Sequence, residues 1–331
     1  MSAPVCMQLL PPDAAARLQE DPRLCMAIGF DSRGWHSEDC RRLTLPLPPL
    51  GRDKAVEVWL AEQPMHPLRR EQGLCCEANE QLLHGCLWYD EARHGGIEQA
   101  TRAAYGAIRD ALSGTGFGHL LRIWHFFPRI NEEENGLERY RAFCRGRHDA
   151  LVQWDLDETR LPAATAIGSH GDGLLIHFLA ARSPGIQIEN PRQVSAYCYP
   201  QQYGPRSPTF SRATLMPWPD GHRQLFISGT ASIVGHETRH AGDLEAQLDE
   251  TLTNIRSLID VARGEHDLPL GGPEALDGLR IYLRHAEDAP RLEALLHARL
   301  PDSLPRVILH GDICRSDLLL EIEGSWTGCK D

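Results

Sequence analysis

One order of apolar segments, strand then helix then strand, occurs twice along the chain, and this duplication limits the fold more tightly than any single motif. The first occurrence predicts a strand at Leu82–Tyr89, a helix at Ile97–Leu112 and a strand at His119–Phe127. A helix at Gly136–Val152 and strands at Ala163–Gly168 and Leu174–Ala180 follow. The second occurrence predicts a strand at Arg223–Val234, a helix at Asp243–Ala262, a strand at Gly278–Arg284 and a helix at Pro290–Leu300. Strands at Pro305–Leu309 and Leu318–Glu323 complete it. Two local matches set the register: Leu83-His84-Gly85 with Ile227-Ser228-Gly229, and Leu121-Arg122-Ile123-Trp124 with Leu279-Arg280-Ile281-Tyr282. Their offsets differ, so one copy carries the longer helix or loop. In the second copy Leu244, Leu248, Leu252, Ile255 and Ile259 recur at steps of three and four, and Asp243 is placed to cap that helix.

Outside the copies the chain reads differently. Residues 1–72 are proline-rich with short apolar stretches such as Leu43-Thr44-Leu45 and Val56-Glu57-Val58-Trp59-Leu60, which predict strands and turns, with one helical turn at Pro12–Leu18. Residues 183–222 are rich in Pro, Tyr and Arg, show no period, and are too long and aromatic for a free linker, so they are expected to pack over a site. The expected organisation is an N-terminal strand-rich domain (1–72), a central domain (73–182), a connecting segment (183–222) and a C-terminal domain (223–331). The fold class is mixed α/β, of the α+β kind.

Charge and cysteine usage narrow the partners. The formal net charge is −12 over 331 residues, so the overall field repels nucleic acid and anionic lipid, and an anionic ligand must be met by a local group of arginines. Ten cysteines form no CxxC pair and suggest no disulfide framework. Met1-Ser2-Ala3-Pro4-Val5-Cys6 lacks a basic segment followed by an apolar one. No apolar run approaches the ~20 residues of a membrane helix. These features predict a reduced, cytoplasmic protein with a small-molecule ligand and neither nucleic acid nor membrane as partner.

Several motifs must be weighed. His236-Glu237-Thr238-Arg239-His240 matches HExxH, but zinc chemistry needs both histidines on one helix face, whereas apolar Leu225–Val234 before it and Gly242-Asp243 after it put the motif on a strand-to-helix loop. It is read as a coincidence, and no metal is expected. Gly114-Thr115-Gly116-Phe117-Gly118 follows a helix and opens a strand, the reverse of a dinucleotide loop. The stretch Gly136–His148 concentrates Arg139, Arg141, Arg145 and Arg147 with Tyr140. It suits either carboxylate recognition by guanidinium forks or a solvated helix face balancing Glu132–Glu134. Near the end, Leu318–Glu323 alternates, putting Glu321 and Glu323 on one strand face, with Arg315 and Cys314 just upstream. Alternation alone favours the wet face of an edge strand for these acids. If Glu321 is buried beside a second carboxylate, its pKa rises and it becomes a general acid.

These residues also resemble a known family. Phe226-Ile227-Ser228-Gly229-Thr230, Ala241-Gly242-Asp243, Gln247 and Asn254-Ile255 look like the first half of a Rid (YjgF-like) domain, and Arg315 with Leu320-Glu321-Ile322-Glu323 looks like its end. Over residues 70 to 324 the chain is closer to the chorismatases. Leu121-Arg122-Ile123-Trp124, Gly136–Cys144, Asn190-Pro191-Arg192-Gln193, Tyr203-Gly204-Pro205-Arg206 and Asp312-Ile313-Cys314-Arg315 carry that likeness. The resemblance implies Rid-like domains arranged as a pseudo-trimer within one chain, acting as a monomer without cofactor. It also implies cleavage of the enolpyruvyl ether of chorismate to pyruvate and a ring product. A cysteine at position 314 is similar to the branch forming 3-hydroxybenzoate, and some relatives also make 4-hydroxybenzoate. Glu321 would be the catalytic acid; Tyr140, Arg147, Arg206 and Arg315 would receive the substrate's polar groups; Ala231 and Cys314 would line the pocket. Two other readings remain open at this stage: a Rid-type enamine or imine deaminase, and a non-catalytic binder of small acids.

Overall fold

The computed structural model describes residues 4–33, 39–51, 55–71, 73–156 and 158–329. Among these, one four-stranded and two six-stranded sheets hold most of the strands. The N-terminal sheet contains β1 (Val5–Leu10), β2 (Leu24–Phe30), β3 (Arg42–Leu45) and β4 (Val56–Ala61), with the short helix α1 (Pro12–Ala16) between the first two. The central sheet contains β5 (His66–Glu71), β6 (Leu74–Ala78), β7 (Leu82–Tyr89), β8 (His119–Phe127), β9 (Ala163–Gly168) and β10 (Leu174–Ala181), covered by α2 (Ile97–Leu112) and α3 (Arg139–Gln153). The C-terminal sheet contains β11 (Ile186–Ile188), β12 (Ala213–Pro217), β13 (His222–Thr230), β14 (Gly278–Leu283), β15 (Arg306–His310) and β16 (Leu320–Cys329), covered by α4 (Leu244–His266) and α5 (Ala289–Arg299).

The expected duplication is visible in the strand order. The central sheet runs β9-β8-β10-β7-β6-β5 and the C-terminal sheet runs β15-β14-β16-β13-β12-β11. In both, only the first pair is parallel. The N-terminal sheet, β3-β2-β4-β1, repeats the first four places with the same directions. It is a third, reduced copy, with only α1 where the others place their first long helix. Beyond the equivalent strands β3, β9 and β15 the backbones bond to one another: Gly168 N–H donates to Asp312 O (2.8 Å), His170 N–H to Pro46 O (2.9 Å) and His310 N–H to Pro48 O (2.8 Å).

Local sequence accounts for the elements. α2 buries Ile97, Ala100, Ala104, Tyr105, Ile108 and Ala111, a single stripe at helical spacing. The Asp243 carboxylate accepts hydrogen bonds from the Glu245 and Ala246 N–H groups and caps α4 as expected. Two expectations change. β5 lies before the expected boundary at 72 yet pairs into the central sheet. Residues 183–222 are not only a cover, because β11 and β12 extend the C-terminal sheet; both strands are too short to display a period.

Inner faces of the three sheets meet in one core, to which the N-terminal sheet gives Met26 and Trp59, the central sheet Leu121, Trp124 and Leu179, and the C-terminal sheet Phe226, Tyr282 and Leu309. A chain of four buried charges crosses it. Arg280 Nε and Nη2 donate to Glu57 Oε2 and Oε1, both at 2.6 Å. Arg280 Nη1 lies 3.2 Å from Glu323 Oε1, and Arg122 Nη2 donates to Glu323 Oε2 at 2.6 Å. Trp59 and Trp124 donate their indole N–H groups to Glu57 and Glu323. Glu57 sits on β4, Arg122 on β8, and Arg280 and Glu323 on β14 and β16, so the chain ties all three sheets together. Two acids and two bases cancel in charge, which makes burial affordable only while every member is present. Glu57→Gln should therefore destabilise the fold by about 3–5 kcal/mol, read as a lower urea midpoint at unchanged m-value.

Candidate active site

Between the central and C-terminal sheets lies a cavity of about 280 Å³, large enough for part or all of a small organic acid. α3 supplies one wall: Tyr140, Phe143, Cys144 and Arg147 fall at i, i+3, i+4 and i+7 and point to it together. β9 adds Thr165, β13 and the turn after it add Gly229 and Ala231, and the segment before β12 adds Arg212. The turn before β16 brings Cys314 and Arg315, and β16 brings Glu321.

Glu321 is not on an edge strand. β16 lies inside its sheet between β13 and β14, and Glu321 pairs with Tyr282 and is 5% exposed. The opposite strand bulges between Ile227 and Thr230, which frees the Gly229 N–H to donate to Thr165 Oγ1 at 2.9 Å. A side chain at 229 would put its Cβ 1.8 Å from Glu321 Oε1, so the carboxyl group occupies the space a side chain would fill. Burial, and then the neighbouring Glu323 carboxylate, push the Glu321 pKa up to about 8 against the smaller opposing pull of Arg122 and Arg212. Glu323 is gripped by Arg122, Arg280, Trp124 and Thr165, whereas the raised pKa leaves Glu321 neutral near pH 7.

Cationic groups line the same cavity, and the sequence anticipates Arg147 and Arg315 among them but not Arg212. Arg147 is buried, and its Nε and Nη2 have no hydrogen-bond partner in the protein. Arg315 donates to His236 O (2.9 Å) and lies over the Tyr203 and Tyr199 rings at 4.1 and 5.2 Å, with Nη2 unpartnered. It thus stays in the wall, and the cations acting on Glu321 are Arg122 and Arg212 instead. Arg206 is exposed and absent from the wall, because the turn through Gly204 and Pro205 carries it outward. Arg212, by contrast, is buried, donates to Tyr199 Oη (2.8 Å) and Val194 O (2.9 Å), and lines the cavity. Sequence reading missed Arg212, Thr165 and Gly229; the one available signal was a lone threonine at an inward position of an apolar strand.

Ala231 and Cys314 line the cavity as expected. Burial, then Glu321, push the Cys314 thiol up to about 12, so it is a neutral lining group and not a nucleophile. His236 and His240 are on different partners: Glu237–Thr238 forms a two-residue ladder with Ile233–Val234, His236 Nδ1 meets Tyr203 Oη at 3.1 Å, and His240 meets Glu250 at 3.3 Å. The motif sits on a hairpin, not the expected loop, and the spacing does not bring the rings to one helix face. The described residues that cluster at metal-ligand spacing, Cys40, Cys75 and Glu77, lie outside the cavity. No helix of the described residues is long and apolar enough to cross a membrane.

Comparison with known proteins agrees with this geometry. A family model described as chorismatase FkbO/Hyg5-like, N-terminal, matches residues 57–180. A 3-hydroxybenzoate synthase of Streptomyces hygroscopicus is 45% identical over 237 residues, 70% of each chain. A chorismatase of Streptomyces rapamycinicus is 39% identical over 295 residues, 87% of each chain. A chorismatase crystal structure superposes with a TM-score of 0.87 at 33% identity, covering 97% of this chain and 98% of that one.

Gly229→Ala should displace the Glu321 carboxyl group while leaving the backbone bulge intact. Catalytic turnover is expected to fall at least tenfold with a melting temperature within a few degrees of wild type, checked by kinetics beside thermal unfolding.

Proposed function

The chain belongs to the chorismatase family and is an enzyme, and from that premise we propose that it cleaves the enolpyruvyl ether of chorismate to pyruvate and 3-hydroxybenzoate, with Glu321 as general acid. The observation that carries the proposal is a buried, neutral carboxyl group in a cavity also lined by Arg147, Arg212 and Arg315. A vinyl ether is inert to base but is activated by a proton on its terminal methylene carbon, which leaves an oxocarbenium ion. Glu321 donates that proton, and the carboxylate it becomes stands beside the positive charge it has created. Scission of the ether follows, assisted by water or by the ring's own hydroxyl; the second route leads towards an aromatic product. Pyruvic and 3-hydroxybenzoic acids together have the composition of chorismic acid, so the aromatic outcome consumes no water overall.

Chorismate carries two carboxylates. Arg147 and Arg212 are the receivers we assign, because each is buried with guanidinium nitrogen lacking a protein partner. Tyr140 supplies a further polar contact; burial holds its hydroxyl protonated, so it can donate. Arg315, fixed between two tyrosine rings, closes the wall. Ala231 and Cys314 shape the ring's seat and the product it yields. The acid and its receivers come from one chain, which supports a monomer, and ten cysteines without a disulfide framework support a reducing, cytoplasmic setting.

Purified protein incubated with chorismate should release pyruvate, followed by coupled absorbance, and 3-hydroxybenzoate, identified by chromatography. Release of a dihydroxylated ring or no turnover at all would overturn the product assignment or the activity. Glu321→Gln should lower kcat by about 10²–10⁴-fold with KM nearly unchanged. Only the protonated acid is competent and its pKa stands at about 8. Thus kcat should be level near neutrality and fall tenfold per unit as pH rises beyond about 8. Arg212→Ala should reduce kcat/KM by roughly 10–100-fold, while Arg206→Ala should leave it within about twofold of wild type.

A further inference from the structure

A second group of reactive side chains lies away from the cavity, where the N-terminal sheet meets the central one. Cys40 Sγ, Cys75 Sγ and a Glu77 carboxylate oxygen all lie within 4.8 Å of one another, and all three residues are buried. Cys75 and Glu77 are two apart on β6 and so share its inner face. Cys40 precedes β3 and reaches them across the core. Arg70, the residue paired with Cys75 on β5, places Nη2 3.3 Å from Glu77 Oε1. Arg41 and Asp39, which bond to each other, flank the same carboxylate. The two thiols are thus direct neighbours in the core.

We propose that Cys40 and Cys75 form a peroxide-oxidisable dithiol that closes reversibly into a disulfide joining the N-terminal and central sheets. The attacking and resolving partners are distinguished by surroundings. The adjacent Cys40, with further help from Arg70 and against the effect of burial, lowers the Cys75 pKa below its ordinary value, whereas the adjacent Cys75 and burial raise that of Cys40. Cys75 thiolate attacks one oxygen of hydrogen peroxide, forming an S–O bond as the O–O bond breaks and hydroxide leaves to be protonated to water. The sulfur is oxidised to a sulfenic acid and the peroxide is reduced. The Cys40 sulfur then attacks that sulfur, the S–O bond breaks, and the hydroxyl leaves as water with the Cys40 proton. Two thiols and one peroxide give one disulfide and two waters. Of the two, Cys75 is the more exposed, at 7% against 0% for Cys40.

The test treats the whole protein with a small excess of hydrogen peroxide until exposed Cys198 and Cys329 are oxidised, then alkylates the remaining thiols in denaturant and maps peptides by mass spectrometry. The expected result is a Cys40–Cys75 linked peptide that disappears on treatment with dithiothreitol. In Cys40→Ser, Cys75 should instead accumulate as a sulfenic acid trapped by dimedone. Recovery of both Cys40 and Cys75 fully alkylated in wild-type protein would overturn the proposal, as would linkage of Cys75 to its cross-strand neighbour Cys86. The decisive measurement uses wild-type protein, so it does not depend on how well the variant folds.

Discussion

The molecule depends on the buried chain Glu57–Arg280–Glu323–Arg122. Charges taken out of water are costly, and these are tolerated because each guanidinium is gripped by carboxylates and each carboxylate by several donors. Such a chain gives geometry before it gives stability. It fixes the angle at which three sheets meet, and with it the shape of the cavity that two of them enclose. Arg122 and Arg280 occupy matching places in the two long copies, so one duplicated residue, serving twice, holds a single acid from two sides.

The same chain determines the state of the acid beside it. Glu323 takes both arginines, two sheets' worth of positive charge. Glu321, two residues away on the same strand face, receives neither a direct guanidinium contact nor enough water to ionise readily. Proximity of a like charge and loss of solvation then act in the same direction. Two chemically identical side chains on one strand face are thereby given different electrostatic surroundings by their neighbours alone. That asymmetry is what the proposed proton transfer to carbon draws on.

Much of this was legible in the residues and some was not. Long apolar runs with caps, such as Asp243 before Leu244–His266, announce their helices because local chemistry and burial agree. The order of apolar segments revealed only two copies, because α1 spans five residues; the third was expected from the family resemblance alone. Alternation placed Glu321 and Glu323 on one face correctly but could not tell an inner strand from an outer one; pairing with β13 and β14 decides that, and pairing is non-local. Arg206 and Arg212 look equivalent in an aperiodic segment. Only the turn at Gly204, whose φ of 145° suits glycine, sends one outward and lets the other return.

Three copies of one topology in a single polypeptide have a consequence for how the protein can change. In an assembly of identical subunits every substitution is imposed at each equivalent position, so an acid gained at one junction appears at all of them. Covalent fusion lifts that constraint. Here one unit carries only a short first helix, the central one contributes Tyr140, Phe143 and Arg147 to the cavity, and the last contributes Arg315 and Glu321. Different contributions from units of like topology are what the linked chain makes available, and a buried acid at one junction is its outcome.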